Sequence, residues 1–131
     1  MKGFVGNIEQ LAMGNTSFRT VLYTSRHMQL VVMSLLSLED IGEETHTLDQ
    51  FIRIEEGEGK VVLNGAEQPI NAGSAVVVPA GTRHNFINTS SDKPMKLYTL
   101  YAPPDHIDGL VHQTKADAMA EDLPFDGTTT E

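Results

Sequence analysis

The amino-acid sequence predicts an all-β fold, a barrel or sandwich of short antiparallel strands. Short apolar or alternating segments recur along the chain, and glycine, asparagine and proline separate them. Only one segment has a composition that favours a helix. The predicted strands are Phe18–Tyr23, Gln29–Ser37, Gln50–Glu55, Lys60–Leu63, Ala75–Val78, His84–Asn88 and Lys96–Tyr101.

The turns and the chain ends add detail to this prediction. Asn64-Gly65 tolerates the positive φ angles of a tight turn and predicts a hairpin at this point. Pro103 and Pro104 end the last strand, because proline cannot donate to a ladder, and Gln113–Glu121 is the predicted short C-terminal helix. We therefore expect a barrel core at about 18–101 with loosely held termini.

Composition limits both the domain count and the function classes. A chain of 131 residues predicts a single domain over 1–131. It has no cysteine, so a metal site must use nitrogen and oxygen ligands. The net charge of -9 argues against nucleic acid and anionic membranes as partners. Because no apolar run has the length of a signal core or a membrane span, we expect a cytoplasmic protein.

The most specific motif is GSAVVVPAGTRHNFIN, residues 73–88. It reads as glycine, five residues, proline, one residue, glycine, two residues, histidine, three residues, asparagine. The two-residue period of a strand puts His84, Phe86 and Asn88 on one face. Because His84 shares this face with a large aromatic residue, we expect its side chain to point inward.

This spacing is similar to the second of the two motifs that define the cupin superfamily, and the chain resembles a small single-domain cupin over about 31–101. The resemblance implies a double-stranded β-helix, the cupin jelly-roll barrel, with the short C-terminal helix after it. The nearest equivalent of the first motif is EETHTLDQFIRIEEG, Glu43–Gly57. It keeps the second histidine as His46, but has Glu44 in place of the first and Gln50 in place of the glutamate.

The resemblance also implies a metal site inside the barrel. Cupins of this kind bind a divalent transition metal through three imidazoles and a carboxylate. Carried over by position, the ligands are Glu44, His46, Gln50 and His84, a set that suits iron, nickel, manganese or zinc. Strand parity places Gln50 on the face of Ile52 and Ile54. Asp49 lies on the other face and is the substitute ligand if the register slips.

Each of these residues has a simpler alternative interpretation. His84 can be a hydrogen-bonded core histidine, and His46 a solvated surface histidine. Glu44 belongs to an acidic run of the kind that usually faces solvent, and Gln50 can simply bond the backbone. Cupins without metal are also common, so the replaced ligands leave a metal-free barrel open.

The remaining ionisable residues carry weaker signals. His27 is expected to face solvent. His106 and His112 are expected in a surface segment, although the loop that holds Asp105 and His106 could instead cover the barrel mouth. Arg53 is predicted to point outward. With no arginine or lysine predicted to point inward near the motifs, the sequence gives no indication of a carboxylate or phosphosugar substrate.

Two function classes remain at this point. The first is a metal-dependent enzyme in which the metal is a Lewis acid for a small organic acid or sugar-like ligand and either Glu44 or a metal-bound water moves a proton. Isomerase, lyase and dioxygenase reactions all occur among cupins, and mannose-6-phosphate isomerase-like is a frequent label. The second is a barrel that binds or senses a small ligand without turnover, with or without metal.

A homodimer is the expected assembly. Small cupins often pair through their N-terminal strands. The segment MQLVVMSLL is apolar on both faces, more than one-sided burial requires.

Overall fold

The computed structural model describes residues 1–131 and contains two helices and nine strands. In chain order these are α1 (Ile8–Gly14), β1 (Arg19–Thr24), β2 (Gln29–Leu35), β3 (Asp49–Glu56), β4 (Glu58–Leu63), β5 (Ala66–Asn71), β6 (Ala75–Val78), β7 (His84–Asn88), β8 (Met95–Ala102), β9 (Val111–His112) and α2 (Lys115–Ala120). Neither helix is long and apolar enough to cross a lipid bilayer.

The strands form two antiparallel sheets that enclose the core. The larger sheet has the order β6-β3-β8-β2-β1-β9 and the smaller has the order β5-β4-β7. Seventeen buried apolar residues form one cluster, and β2, β3, β7 and β8 all contribute to it. The predicted cupin jelly-roll barrel with a short C-terminal helix is therefore confirmed.

All seven predicted strands are present, and the structure adds β5 and β9. The Asn64-Gly65 hairpin is confirmed, with φ angles of 48° and 83°, and its second arm is β5. This strand was missed because Pro69 and polar residues occupy it and only Ile70 is buried. A strand that buries only one side chain shows almost no alternation of apolar and polar residues.

Segments near both ends of the chain make contacts with the barrel. Helix α1 is capped by the Asn7 side chain, which accepts from the Gln10 N–H, and Ala12 is fully buried. At the other end, β9 pairs with β1, and the Thr130 N–H donates to the Thr24 carbonyl at 2.9 Å. The C-terminal segment is therefore bound back onto the barrel.

Helix α1 also explains the two-sided apolar character of β2. Val31, Met33 and Leu35 enter the core cluster, while the alternate residues Val32 and Ser34 are buried as well. Helix α1 lies against β2, β3 and β8 and covers part of the outer surface of this sheet. An apolar outer face on β2 therefore does not by itself require a second protomer.

Two motif glycines have clear structural roles. Gly57, which ends the first motif, has a φ of 103°, and an added Cβ would lie 2.9 Å from the Pro94 carbonyl oxygen. Gly81, in the second motif, has a φ of 84°, and its N–H donates to the His46 carbonyl at 2.8 Å. Gly81 therefore links the two motifs through the backbone.

Candidate functional site

Gln50 lies inside the barrel, as its parity predicted. Along β3, Gln50 is 4% exposed and Ile52 is fully buried, whereas Asp49 is exposed. The Gln50 Nε2 donates to the Thr99 hydroxyl at 3.1 Å, but its Oε1 is buried with no hydrogen-bond partner. Asp49 Oδ1 instead accepts from the Ala80 N–H at 2.9 Å, so the register has not slipped and Asp49 is not a substitute ligand.

His84 has an ordered ring in the facing sheet. It is 4% exposed, and Phe86 and Asn88 are buried on the same face of β7. Its Nδ1 lies 2.8 Å from the Thr82 carbonyl oxygen. A carbonyl can only accept, so Nδ1 carries the hydrogen and Nε2 of the neutral ring has a free lone pair. This is the arrangement that orients metal-binding histidines.

Backbone pairing brings the first motif to His84. The Glu44 N–H donates to the His84 carbonyl and the His84 N–H donates to the Glu44 carbonyl, both at 2.9 Å. The His46 and His84 ring centres are 5.1 Å apart, and His46 Nε2 lies 3.3 Å from Glu44 Oε2. Glu44, His46 and His84 are thus neighbours. Gln50 joins them through Tyr101, its partner in β8, whose ring centre is 6.0 Å from that of His46.

The four predicted ligands do not make a conventional ligand group. No three His, Cys, Asp or Glu side chains are arranged as a group that could hold a metal ion. A metal in this barrel would therefore depend on the Gln50 amide oxygen as well as on the imidazoles and Glu44.

A cavity of about 490 Å³ opens at the barrel mouth beside this group. Glu44 and His46 line it from the first motif, and the segment from Asp105 to Pro124 lines it from the other side. The fully buried Gln29 holds this segment: its Oε1 accepts from the N–H groups of Asp105 and His106, and its Nε2 donates to the His106 carbonyl. Gln29 therefore anchors the start of this segment at the cavity wall.

His112 is buried and His106 is partly buried, so the expectation that they lie on the surface is wrong. The His106 side chain is 13% exposed, with Nε2 3.4 Å from Asp105 Oδ2, and His112 is 4% exposed. Burial lowers the pKa of His106 to about 3, and the charges of Arg19, His46 and His112 act in the same direction. Burial likewise raises the pKa of Asp105. Because its own pKa is this low, His106 is a neutral imidazole at neutral pH.

Arg19 also lines the cavity, directly opposite His112 in the β1–β9 pair. It is 8% exposed, and its Nε is buried with no hydrogen-bond partner. The guanidinium carbon lies 5.3 Å from the centre of the Phe18 ring. Burial raises the pKa of Tyr101, and the Arg19 charge opposes that rise, which is consistent with their proximity. The expectation of no inward basic residue concerned the two motifs, and Arg19 lies outside both of them in the sequence.

Comparison with known families matches residues 31–101 of the chain to the cupin domain. The chain belongs to the cupin family. It is 50% identical over 126 residues to YrkC of Bacillus subtilis strain 168, covering 91% of this chain and 67% of YrkC. It is 42% identical over 111 residues to L612 of Acanthamoeba polyphaga mimivirus, covering 81% of this chain and 69% of L612.

Solved structures agree with the cupin assignment. BH2720 of Bacillus halodurans is similar with a TM-score of 0.89 and 45% identity, over 92% of this chain and 96% of that one. KdgF from a Halomonas species matches with a TM-score of 0.60 and 21% identity, over 65% of this chain and 74% of that one. The second match supports the fold alone.

Arg19 and His112 are the site residues of this cupin that sequence reasoning missed. For Arg19 a signal existed, because strand parity puts it on the same face as Val21, which is buried in the core cluster. For His112 no local signal existed, since β9 is only two residues long.

His27 is exposed, as expected. Arg53 is half-exposed on the outer face and pairs with Glu55 at 3.2 Å.

Proposed function

We propose that this cupin is an enzyme that acts on a small organic ligand in its barrel, with a divalent transition metal held by Glu44, His46, Gln50 and His84. The observation that carries the proposal is the Gln50 Oε1, which is buried without a hydrogen-bond partner. A buried carbonyl oxygen with no partner typically costs about 1–3 kcal/mol. A metal ion or a ligand group bound at this oxygen would remove that cost.

The two imidazoles support the same reading. Two rings that each bind one metal at about 2.1 Å have their centres roughly 4.5–5.5 Å apart, and the 5.1 Å between His46 and His84 lies within that range. The free Nε2 of His84, fixed by the Thr82 carbonyl, is a suitable donor. The Glu44 carboxylate adds the negative charge that the glutamine at position 50 does not supply.

A metal bound here would be a Lewis acid for a carbonyl or hydroxyl oxygen of the ligand. The protein side chains would do the rest of the chemistry. Glu44 Oε2 is at the cavity wall on a one-third-exposed side chain, within reach of both ligand and His46, and is the group that we expect to take or return a proton. Isomerase, lyase and dioxygenase reactions are all compatible with these roles.

Elemental analysis of untagged protein purified without chelator tests the metal proposal. We expect near one equivalent of iron, nickel, manganese or zinc in the wild type, and a loss of most of it in both His84→Ala and His46→Ala. His27→Ala, the same change at an exposed histidine, is the matched control and should keep the metal. Absence of metal even after each of the four ions is added in turn would refute the proposal.

A non-catalytic cupin that binds a small ligand without metal is the second candidate. It is favoured by the lack of a complete group of His, Asp or Glu ligands. In that case Gln50 Oε1 and His84 Nε2 would bind polar groups of the ligand directly. Wild-type protein that binds a small ligand but no metal, and loses the ligand in His84→Ala, would support this candidate over the first.

The homodimer is a separate proposal about assembly. Light scattering on the purified protein would give twice the chain mass of 14.3 kDa for a dimer. A mass equal to one chain would contradict it. That result would be consistent with the packing of α1 against β2, which already covers part of the apolar outer face of this strand.

A further inference from the structure

We propose that Arg19 binds a carboxylate group of the ligand, so that the mouth cavity is the recognition site for a small monocarboxylic acid. The inference rests on the proposed function in one respect, namely that the ligand enters the barrel beside His46. It adds the class of ligand and the residue that selects it.

The first argument is the state of the guanidinium. Arg19 is only 8% exposed, and none of the eight ion pairs in the structure includes it. Its Nε has no hydrogen-bond partner. Burying a charge without a counter-ion is costly, and charges in protein interiors are normally paired. The Phe18 ring offsets part of that cost, and so does Asp105, whose pKa the Arg19 charge lowers although the two groups do not form an ion pair.

The second argument is the position of Arg19. It lines the same cavity as His46 and Glu44, and Tyr101 is a neighbour of both Arg19 and His46. A small molecule with a carboxylate at one end could therefore reach Arg19 while its other polar groups face His46. The guanidinium fork matches the two oxygens of a carboxylate, which a lysine would not do.

The third argument concerns charge and separates a carboxylate from a phosphate. The cavity wall also carries acidic side chains, among them Glu44, Asp105, Glu121 and Asp122. His112 Nε2 already pairs with Glu121 at 3.0 Å, and Lys115 pairs with Asp40, so neither is free to neutralise a second negative charge. One unpaired guanidinium in an acidic cavity favours a singly charged anion over a phosphate dianion.

Nuclear magnetic resonance titration of chelator-treated protein tests this inference without metal. The probes are lactate, its neutral analogue lactamide, and inorganic phosphate. The chain has four arginines, at 19, 26, 53 and 83, so the Nε–H signal of Arg19 can be assigned by substitution. We expect lactate to shift the Arg19 signal in a saturable manner, with the Arg26 signal unchanged, and lactamide and phosphate to have little effect.

Substitution gives the second readout. We expect Arg19→Gln to weaken lactate binding about tenfold or more, as for the loss of a charge-assisted hydrogen bond, and Arg19→Lys to weaken it less. Arg26→Gln, at an exposed arginine, is the matched control and should bind like the wild type. Metal content should be unchanged in Arg19→Gln, which separates this inference from the metal proposal.

Three results would overturn the inference. One is an Arg19 Nε–H signal in the wild type that lactate does not move, a measurement that does not depend on any variant folding. Another is equal binding of lactate by Arg19→Gln and wild type. The last is binding of lactamide or phosphate at least as tight as that of lactate.

Discussion

The barrel interior and the barrel mouth differ in where their residues come from. Interior residues such as Gln50, Ile54 and His84 lie on regular strands, and their neighbours follow from strand parity and pairing. Mouth residues such as Arg19 and His106 meet only because the segment after β8 folds back across the open end. The two regions nevertheless share His46, which contacts Glu44 on one side and lies 3.9 Å from Asp105 on the other.

This difference separates two tasks of the protein. The interior supplies fixed donors on strands whose positions are set by many backbone hydrogen bonds, as a metal or ligand centre requires. The mouth supplies charge and shape largely from the segment after β8, whose only regular elements are the short β9 and α2 and which side chains such as Gln29 help to hold. We therefore expect the mouth to be the more easily altered region, both by mutation and in solution conditions.

Gln29→Ala should show the largest effect on the mouth. Its side chain makes four hydrogen bonds, to Thr24 Oγ1, the His106 carbonyl and the N–H groups of Asp105 and His106. Removing it leaves buried polar groups without partners, at about 1–3 kcal/mol for each group that water cannot reach. We expect the free energy of unfolding in urea to fall by about 3 kcal/mol, with faster amide hydrogen exchange after β8.

The control for this prediction is Gln68→Ala, at an exposed position on β5, which should change stability by less than about 0.5 kcal/mol. If Gln29→Ala accelerates exchange equally in β3, β7 and the segment after β8, then the mouth and the barrel unfold as one unit and the distinction between them fails.

The sequence predicted the interior well because strand parity is a local property. Alternation alone placed Gln50 and His84 inward, and the spacing of the second motif identified the family from sixteen residues. The mouth could not be predicted in the same way. The pairing of β1 with β9 brings together Arg19 and His112, which are far apart in the chain. A strand of two residues is too short to show the alternation of apolar and polar residues that would predict this pairing.

The net charge of the chain gives no information about Arg19. An excess of acidic residues describes the whole surface, whereas one buried guanidinium decides the chemistry of a cavity. The sequence also did not predict helix α1. The segment IEQLAMG is too short to show a helical period of apolar residues, and the burial of Ala12 depends on the sheet beneath the helix.

Gly57→Ala tests the barrel wall, and Gly42→Ala is its matched control. Both glycines have positive φ, 103° and 110°, so alanine is strained at both by about 1–2 kcal/mol. Only at Gly57 would the new Cβ also approach a backbone oxygen, that of Pro94 at 2.9 Å, while at Gly42 it meets open space. We expect Gly57→Ala to lose about 1–2 kcal/mol more than Gly42→Ala in urea unfolding. Equal losses would mean that the wall relaxes around the added methyl group.

The smallest expected effect concerns the ion pair that joins the mouth to the barrel. Asp40 accepts a hydrogen bond from Asn85 of β7 at 2.8 Å and pairs with Lys115 of α2. The Asn85 hydrogen bond and then Lys115 lower the pKa of Asp40 below its usual 3.8. Because the folded-state pKa is the lower one, the stabilisation is complete above about pH 4 and is lost as the pH falls further.

Asp40→Asn should therefore destabilise the protein more at pH 7 than at pH 3. The side chain is about one-third exposed, so solvent screens the pair and we expect a loss of only about 0.5–1 kcal/mol at low salt. Glu67→Gln breaks the more exposed pair with Lys60 inside one hairpin and should cost less. Urea unfolding of both variants at the two pH values measures this. A loss for Asp40→Asn that is as large at pH 3 as at pH 7 would show that the carboxylate charge does not stabilise α2, and that only packing holds the mouth against the barrel.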